Sequence, residues 1–252
     1  MPMNILHTKA IPMKNLNLDI CDFHAHILPK ADHGSYSIET SLRQMELAVK
    51  YGIRRIVATP HFYPHAMNVQ DYIKKRDASF STLQPMLPEN ISIRLGAEVL
   101  LCDNLENLPN LEMLCIGHSN TLLVELPYSG FSNSHVYSLV NVMDKGFKVV
   151  LAHAERYDVA IIDEFISLGA VVQLNPGVLS GKIAKGSTID RWLTHKSVCA
   201  IGSDIHGADK NAYAAFYKAV KKHCDVLSDV KRLSDELWSA FAEPDLNYSL
   251  SK

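Results

Sequence analysis

The stretch Asp22-Phe23-His24-Ala25-His26 decides how this 252-residue chain is interpreted. It completes an apolar run that predicts a buried β-strand over Leu18–Phe23. Side chains two residues apart on a strand point to the same face, so His24 and His26 are expected to present two imidazoles together. Such a pair can supply two of the ligands of one metal ion. Two histidines on a strand can also be ordinary polar residues. Whether they belong to a metal site therefore depends on the residues at the other strand ends.

Short apolar runs alternate with longer amphipathic stretches along the rest of the chain. Further strands are predicted over Arg55–Ala58, Ile91–Ala97, Thr121–Val124, Lys148–Ala152, Ala170–Leu174 and Val198–Gly202. Helices are predicted over Ile38–Tyr51, Val69–Leu83, Ser134–Lys145, Val159–Leu168, Thr188–His195, Asn211–His223 and Val230–Phe241. This βαβα order predicts an α/β fold in which outer helices cover parallel strands. Seven units without a Pro/Gly/Ser linker predict one barrel-like domain over residues 1–252, with an N-terminal extension (1–17) and a loose tail (243–252).

Composition narrows the function classes. A hydrophobic content of 47% is enough for one large core. The net charge of −2 does not indicate a nucleic-acid-binding protein, which would carry an excess of basic residues. The early residues contain no apolar signal-peptide region, and no later run is long enough to cross a membrane, so a cytoplasmic protein without membrane insertion is expected. The five cysteines are odd in number and widely spaced, which predicts reduced, mostly buried thiols. The sequence has no Cys-x5-Arg loop and no Gly-x-Ser-x-Gly elbow.

Residues that can bind metals follow most of the predicted strands. They are His24 and His26, His61, Glu98, Glu125, His153, and Asp204 with His206. The C-terminal ends of the strands in a parallel βα barrel share one face, where active sites form. Each residue alone is best interpreted as a strand-end cap or a satisfied polar group, but their recurrence at six strand ends favours a metal site. Histidine with carboxylate and without cysteine suits Zn²⁺, Mn²⁺ or Fe, and the number of candidates predicts two or three ions.

These residues together resemble the PHP (polymerase and histidinol phosphatase) superfamily over roughly Leu18 to Gly207. Within it the chain is most similar to the bacterial CpsB/CapC type of manganese-dependent protein-tyrosine phosphatase. The stretches that carry this likeness are Asp22-Phe23-His24-Ala25-His26-Ile27-Leu28-Pro29, Ala58-Thr59-Pro60-His61, Leu123-Val124-Glu125-Leu126-Pro127 and His153-Ala154-Glu155-Arg156-Tyr157. The resemblance implies a distorted (βα)7 TIM-like barrel of the PHP type with three metal ions.

The resemblance also implies a ligand set. A first metal ion is expected at His24, His26, Glu98 and Asp204, a second at Glu98, Glu125 and His153, and a third at His33, His61 and His206. Arg156 matches the phosphate-binding arginine of the family. One departure is visible: the chain reads Asp32-His33-Gly34 where the family usually has Asp-Asp-Gly. By spacing, His33 rather than Asp32 takes the position of the ligand.

The implied activity is hydrolysis of a phosphomonoester by attack of a metal-bridging hydroxide on phosphorus. The expected substrate is a phosphotyrosine protein, namely the tyrosine-rich tail of a bacterial kinase of capsule or exopolysaccharide synthesis. Mn is the expected metal, with Fe and Zn as alternatives, and the protein is a candidate homo-oligomer. Two other functions remain open at this point. One is hydrolysis of histidinol phosphate or another small phosphate ester at the same site, and the other is a non-catalytic binding module stabilised by metals.

Overall fold

The computed structural model describes residue 18, residues 20–225 and residues 227–240; the predicted extension (1–17) and tail (243–252) lie outside them. Within these residues, nine strands form one sheet in which every pairing is parallel. They are β1 (Cys21–Ala25), β2 (Arg55–Ala58), β3 (His61–Phe62), β4 (Ser92–Leu95), β5 (Glu98–Leu100), β6 (Thr121–Glu125), β7 (Lys148–Leu151), β8 (Val171–Leu174) and β9 (Val198–Ile201). Their order is β3-β5-β6-β7-β8-β9-β1-β2-β4. The predicted α/β class with parallel strands is confirmed.

The α-helices of the described residues follow the predicted pattern closely. They are α1 (Ile38–Lys50), α2 (Val69–Leu83), α3 (Asn133–Asp144), α4 (Val159–Ser167), α5 (Pro176–Leu179), α6 (Thr188–Thr194), α7 (Lys210–Lys222) and α8 (Ser228–Ala240). Short 3-10 helices occupy Gln84–Met86, Leu105–Asn107, Leu111–Leu114 and Ala154–Arg156. Polar N-caps start several helices; for example, the Ser37 side chain accepts a hydrogen bond from the backbone N–H of Thr40 at the start of α1. The short helix α5, which Pro176 opens, was not predicted.

Two of the predicted strands, Arg55–Ala58 and Ile91–Ala97, are each followed by a second short strand that was not predicted. Thr59 and Pro60 separate β2 from β3, and Gly96 and Ala97 separate β4 from β5. Backbone pairing continues across both breaks, because Gly96 N–H donates to the carbonyl of Ala58 (2.9 Å) and Glu98 N–H donates to the carbonyl of Pro60 (3.1 Å). Since β2 pairs with β4 and β3 with β5, these two chain segments connect the opposite edges of the sheet.

Apolar side chains fill two regions on the two faces of the sheet. The larger core lies between the sheet and the surrounding helices. A smaller cluster inside the sheet contains Cys21, Phe23, Val57, Leu123, Val150 and Cys199, among other residues. Leu233, Leu237 and Trp238 of α8 pack against this inner cluster. The helix α8 therefore covers one end of the sheet interior.

The bounds of the first strand differ from the sequence prediction. The first strand begins and ends later than expected, so that His24 lies within β1, because its pairing with β2 continues to Ala25. Cys224 is exposed, whereas Cys21, Cys115 and Cys199 are buried; all five cysteines are free. The predicted end of the last helix, Phe241, lies outside the described residues. Among the described helices, none is both long enough and apolar enough to cross a membrane.

Candidate metal centre

The predicted site residues converge where β1, β2, β4, β6, β7 and β9 end. His24 lies on β1 and His26 directly follows it; His61 and Glu98 open β3 and β5; Glu125 ends β6. His153 follows β7, and Asp204 and His206 follow β9. The parallel sheet brings these positions to one face, as the sequence predicted.

The two histidines of the opening motif meet each other. Their Nε2 atoms lie 3.0 Å apart, and both side chains are buried. Each imidazole has a different partner on its other nitrogen: His24 Nδ1 lies 3.1 Å from the Gln173 amide oxygen, and His26 Nδ1 lies 2.6 Å from an Asp32 carboxylate oxygen. These partners hold the two Nε2 atoms toward a common point, which confirms the prediction that both imidazoles share one face.

Glu98 lies at the centre of the cluster and is buried. Its Oε2 atom lies 3.2 Å from His24 Nε2, 3.2 Å from His26 Nε2 and 2.7 Å from His61 Nδ1. Its other oxygen, Oε1, lies 2.8 Å from His153 Nε2. One carboxylate therefore faces four imidazoles from three different strand ends, which is the position of a ligand shared between cations.

The polar atoms at this centre fit divalent cations. Among the described residues, Glu98 Oε2, His61 Nδ1 and His206 Nε2 are buried without a hydrogen-bond partner, since the short His61–Glu98 approach does not have hydrogen-bond geometry. Buried polar atoms are rarely left without a partner. Metal–nitrogen bonds of about 2.0–2.1 Å place neighbouring ligand atoms about 3 Å apart, as the two Nε2 atoms are here. The donor set contains only imidazole and carboxylate, which suits Zn, Mn or Fe.

Four overlapping groups of donors have their ligand atoms within 4.8 Å of one another. They are His24 with His26 and Asp204; His24 with Glu98 and His153; His26 with His61 and His206; and His61 with Glu98 and Glu125. Eight of the nine predicted ligands belong to at least one of these groups. Their overlap favours several ions that share ligands over one isolated ion.

His33 is the predicted ligand that stands apart from these groups. Its ring stacks on that of His61, with centroids 4.8 Å apart, and lies 4.7 Å from that of His206. The neighbouring Asp32 has a different place: its carboxylate contacts His26 Nδ1 and accepts the backbone N–H groups of His61 (3.0 Å) and Gly34 (2.8 Å). Asp32 therefore orients a predicted ligand, and His33 lies beside the open side of the cluster.

Arg156 reaches the same cluster from the 3-10 helix after β7. Its Nη2 atom donates to Asp204 Oδ2 at 2.5 Å, and about half of its side chain, 51%, is exposed. The carboxylate of the neighbouring Glu155 faces the backbone N–H of Asn175. A guanidinium with one end on the cluster and the other in solvent can reach an arriving anion.

Two site residues have unusual backbone conformations. His153 has φ 33° and Asp204 has φ 51°, in the left-handed region that non-glycine residues seldom adopt. They lie two and three residues after the ends of β7 and β9, where the left-handed turn directs each side chain onto the face above the strands. Strained conformations of this kind cluster at functional sites.

The electrostatics of the cluster are those of a cation site. Burial raises the pKa of Glu125 to about 7, and the nearby Glu98 carboxylate adds to this effect. Burial lowers the pKa of His26, but the facing carboxylates of Asp204, Asp32 and Glu98 outweigh this effect, so the pKa lies well above its usual value. The Asp204 carboxyl is buried, which raises its pKa, yet His26 and His24 hold it well below the usual range. A bound cation would take over the role of these protons.

Sequence reasoning missed two supporting side chains. Gln173 of β8 is buried and contacts both His24 and the backbone of His153. Asp22 is also buried, and its carboxylate accepts hydrogen bonds from the backbone N–H and the hydroxyl of Ser203 at 2.7 and 2.6 Å. Asp22 stands in the opening motif but was assigned no role. Gln173 lies in the middle of an apolar run, where an isolated polar residue was its only signal.

Comparison with known proteins agrees with this geometry. A family model described as capsular polysaccharide synthesis, CpsB/CapC, matches residues 20–226. The chain belongs to the CpsB/CapC family. The CpsB/CapC match covers every predicted site residue and ends before α8.

Named CpsB/CapC relatives share about a quarter of the sequence. The chain is 26% identical over 172 residues to the tyrosine-protein phosphatase YwqE of Bacillus subtilis, covering 65% of this chain and 67% of YwqE. It is 27% identical over 208 residues to the tyrosine-protein phosphatase CpsB of Streptococcus pneumoniae, covering 75% of this chain and 83% of CpsB. A crystal structure from work on YwqE and CpsB, described as unique metal-dependent tyrosine phosphatases, superposes with a TM-score of 0.68 at 20% identity. This superposition covers 88% of this chain and 94% of that one, so the fold is shared.

Proposed function

We propose that this CpsB/CapC chain is a metal-dependent protein-tyrosine phosphatase. The observation that carries the proposal is the buried Glu98 carboxylate, which faces His24, His26, His61 and His153. The half-exposed Arg156 at the edge of this centre favours catalysis on an anion over a site that only stabilises a binding module. The naming of its relatives as tyrosine-protein phosphatases supports the choice of substrate.

The proposed centre holds three divalent ions, with Mn as the metal and Fe or Zn as alternatives. The assignment of ions follows the sequence prediction: the first at His24, His26, Glu98 and Asp204; the second at Glu98, Glu125 and His153; the third at His33, His61 and His206. The close approach of these donors supports this assignment, and His33 is its least supported member. When bound, such ions supply positive charge for a phosphate group and lower the pKa of water.

The protein contributes charge, orientation and access. Glu98, Glu125 and Asp204 would bind the cations. Contacts from Gln173 and Asp32 fix the orientations of the His24 and His26 rings. Arg156, already at the edge of the cluster, is positioned to bind a non-bridging phosphate oxygen and stabilise its developing charge. The leaving group of phosphotyrosine is a phenol with a pKa of about 10, which departs as phenolate more readily than an alkoxide does.

The wider setting of the proposal comes from the family. We assign the fold to a single-domain distorted (βα)7 barrel of the PHP type. The nine strands give seven units when β2 is counted together with β3 and β4 together with β5. The proposed substrate is a phosphotyrosine protein of capsule or exopolysaccharide synthesis, namely the tail of a tyrosine kinase. The cytoplasmic location and self-association remain predictions.

A substrate comparison tests the proposal. Purified protein loaded with Mn²⁺ is assayed on a phosphotyrosine peptide and on histidinol phosphate, and its metal content is measured by inductively coupled plasma analysis. We expect a higher kcat/KM for the peptide and bound transition metal in the protein. Faster turnover of histidinol phosphate would assign the same centre to small phosphate esters. No bound metal after reconstitution would refute the metal centre itself.

A further inference from the structure

The strand β8 contributes none of the predicted ligands, yet its Gln173 side chain lies between three of the elements that do. Gln173 is buried, and its amide oxygen accepts the backbone N–H of His153 at 2.8 Å. The same oxygen lies 3.1 Å from His24 Nδ1. Its amide nitrogen donates to the Asn175 side-chain oxygen at 2.8 Å, and Asn175 Nδ2 donates in turn to Asp204 Oδ2 at 3.3 Å.

The backbone N–H of His153 fixes the orientation of this amide. A backbone N–H can only donate, so the Gln173 atom that it contacts must be the oxygen. His24 Nδ1 faces this same oxygen and must therefore carry a proton, which leaves the lone pair of the neutral ring on Nε2. That nitrogen points at Glu98 and His26. Gln173 thus selects the tautomer of His24 that can bind a cation.

The second effect of Gln173 concerns the backbone turn at His153. This residue has φ 33°, a conformation that needs support from its surroundings. The hydrogen bond from its N–H to Gln173 supplies part of that support and directs the imidazole toward Glu98, 2.8 Å away. The space around Gln173 is also closed, because a Cβ atom at Gly202 would lie 2.9 Å from its amide nitrogen and 2.4 Å from His24 Cβ. The amide therefore has little freedom to turn away.

We propose that Gln173 is a positioning residue that sets the ligand geometry of His24 and His153 directly and that of Asp204 through Asn175. The inference rests on the proposed metal-dependent function. It assigns β8 a role in the centre, because one neutral amide links the ends of β1, β7 and β9 through hydrogen bonds. Outer partners of this kind govern metal affinity, and losing one costs about 10- to 100-fold.

The test uses the full chain with Gln173→Leu, which keeps the approximate volume and removes every hydrogen bond. Mn²⁺ affinity is measured by titration calorimetry, ligand geometry by the visible absorption spectrum of the Co²⁺-loaded protein, and folding by thermal unfolding without metal. We expect Mn²⁺ affinity to fall by about 10- to 100-fold and the Co²⁺ spectrum to change. The matched control is Ser138→Ala, which removes a buried hydroxyl remote from the centre that accepts the Leu105 N–H. It is expected to lower the melting temperature and leave affinity and spectrum unchanged.

A second variant, Gln173→Glu, keeps an acceptor for His24 and His153 but removes the donor to Asn175. We expect it to retain more Mn²⁺ affinity than Gln173→Leu while its Co²⁺ spectrum still changes, because the contact chain to Asp204 is broken. If the leucine variant does not fold, the test rests on the glutamate variant. A Co²⁺ spectrum of Gln173→Glu equal to that of the wild type then overturns the inference. Parental affinity and spectrum in both variants, with a wild type that binds metal and hydrolyses phosphotyrosine, would refute only the role of Gln173. A wild type that binds no divalent ion would refute the proposed function as well.

Discussion

The two ends of the strands are built from opposite chemistry. At the C-terminal ends, buried polar groups such as His24, Glu98 and His153 face one another. At the N-terminal ends, Leu233, Leu237 and Trp238 of α8 close the inner apolar cluster. The guanidinium groups of Arg55 and Arg94 lie over the Trp238 ring, 5.9 and 5.2 Å from its centroid.

This difference separates function from stability within one sheet. Burying charged groups costs free energy unless they are paired or bind cations. The polar groups at the C-terminal ends therefore lower the stability of the folded state when no metal is bound. Burying apolar side chains stabilises the folded state, so the N-terminal ends contribute stability and no chemistry. Changes at the first end should alter activity most, and changes at the second should alter only unfolding.

Metal removal gives the largest expected effect. Treatment with a chelator should abolish phosphatase activity, because the ligands then face one another without the cations that their charge requires. At Mn²⁺ concentrations about 100-fold above Kd, bound metal stabilises the fold by about 2.7 kcal/mol, so its removal should lower Tm by roughly 5–10 °C. Activity assays and thermal unfolding, each with and without re-added Mn²⁺, measure both effects. Full activity in the chelator would contradict a catalytic metal centre.

The substitution Glu98→Gln should be nearly as severe for activity. It removes the charge that faces four imidazoles, and kcat/KM is expected to fall by roughly 100- to 1,000-fold. The Tm of the metal-free protein should fall, because the imidazoles around Glu98 lose the buried carboxylate that they face. The control is Glu106→Gln, a glutamate that accepts hydrogen bonds from Ser138 and Asn141 away from the centre. Retention of most activity in Glu98→Gln would show that this carboxylate is not central.

Arg156→Ala should have a smaller effect on the same end of the strands. A hydrogen bond to a charged group contributes about 1.5–3 kcal/mol, so kcat/KM should fall by roughly 10- to 150-fold. The matched control is Arg191→Ala, which breaks an ion pair with Asp163 on the outer surface. Steady-state kinetics on a phosphotyrosine peptide distinguish the two variants. Equal kinetics would mean that Arg156 serves only as the partner of Asp204.

Trp238→Ala tests the opposite end and should leave chemistry unchanged. The ring is partly buried against the inner cluster, so its loss should cost about 2 kcal/mol and lower Tm by about 4–8 °C. Tyr137→Ala, which removes an exposed aromatic ring, is the control and should change Tm little. Thermal unfolding and kcat are measured on both proteins. A large fall in kcat at a temperature where Trp238→Ala is folded would show that the two ends are coupled.

Much of the molecule could be predicted from local sequence. The parallel α/β order followed from hydrophobic periodicity, and the placement of His61, Glu98 and His153 near one another followed from their positions after strands. The short strands β3 and β5 were not predicted, because pairing partners rather than local residues decide where such strands form. The partner of Arg156 was also unpredictable, since Asp204 lies far away in sequence.

Local patterns in the sequence predict which residues can bind metal and at which end of the sheet they lie, because the periodicity and direction of a strand are local properties. Which atoms meet depends on the packing of the whole sheet. The shared position of Glu98, the left-handed turn at His153 and the amide of Gln173 between three strand ends depend on contacts between distant segments. The pair His24 and His26 is therefore recognisable in the sequence, while the lone pairs it offers are set by Gln173 and Asp32.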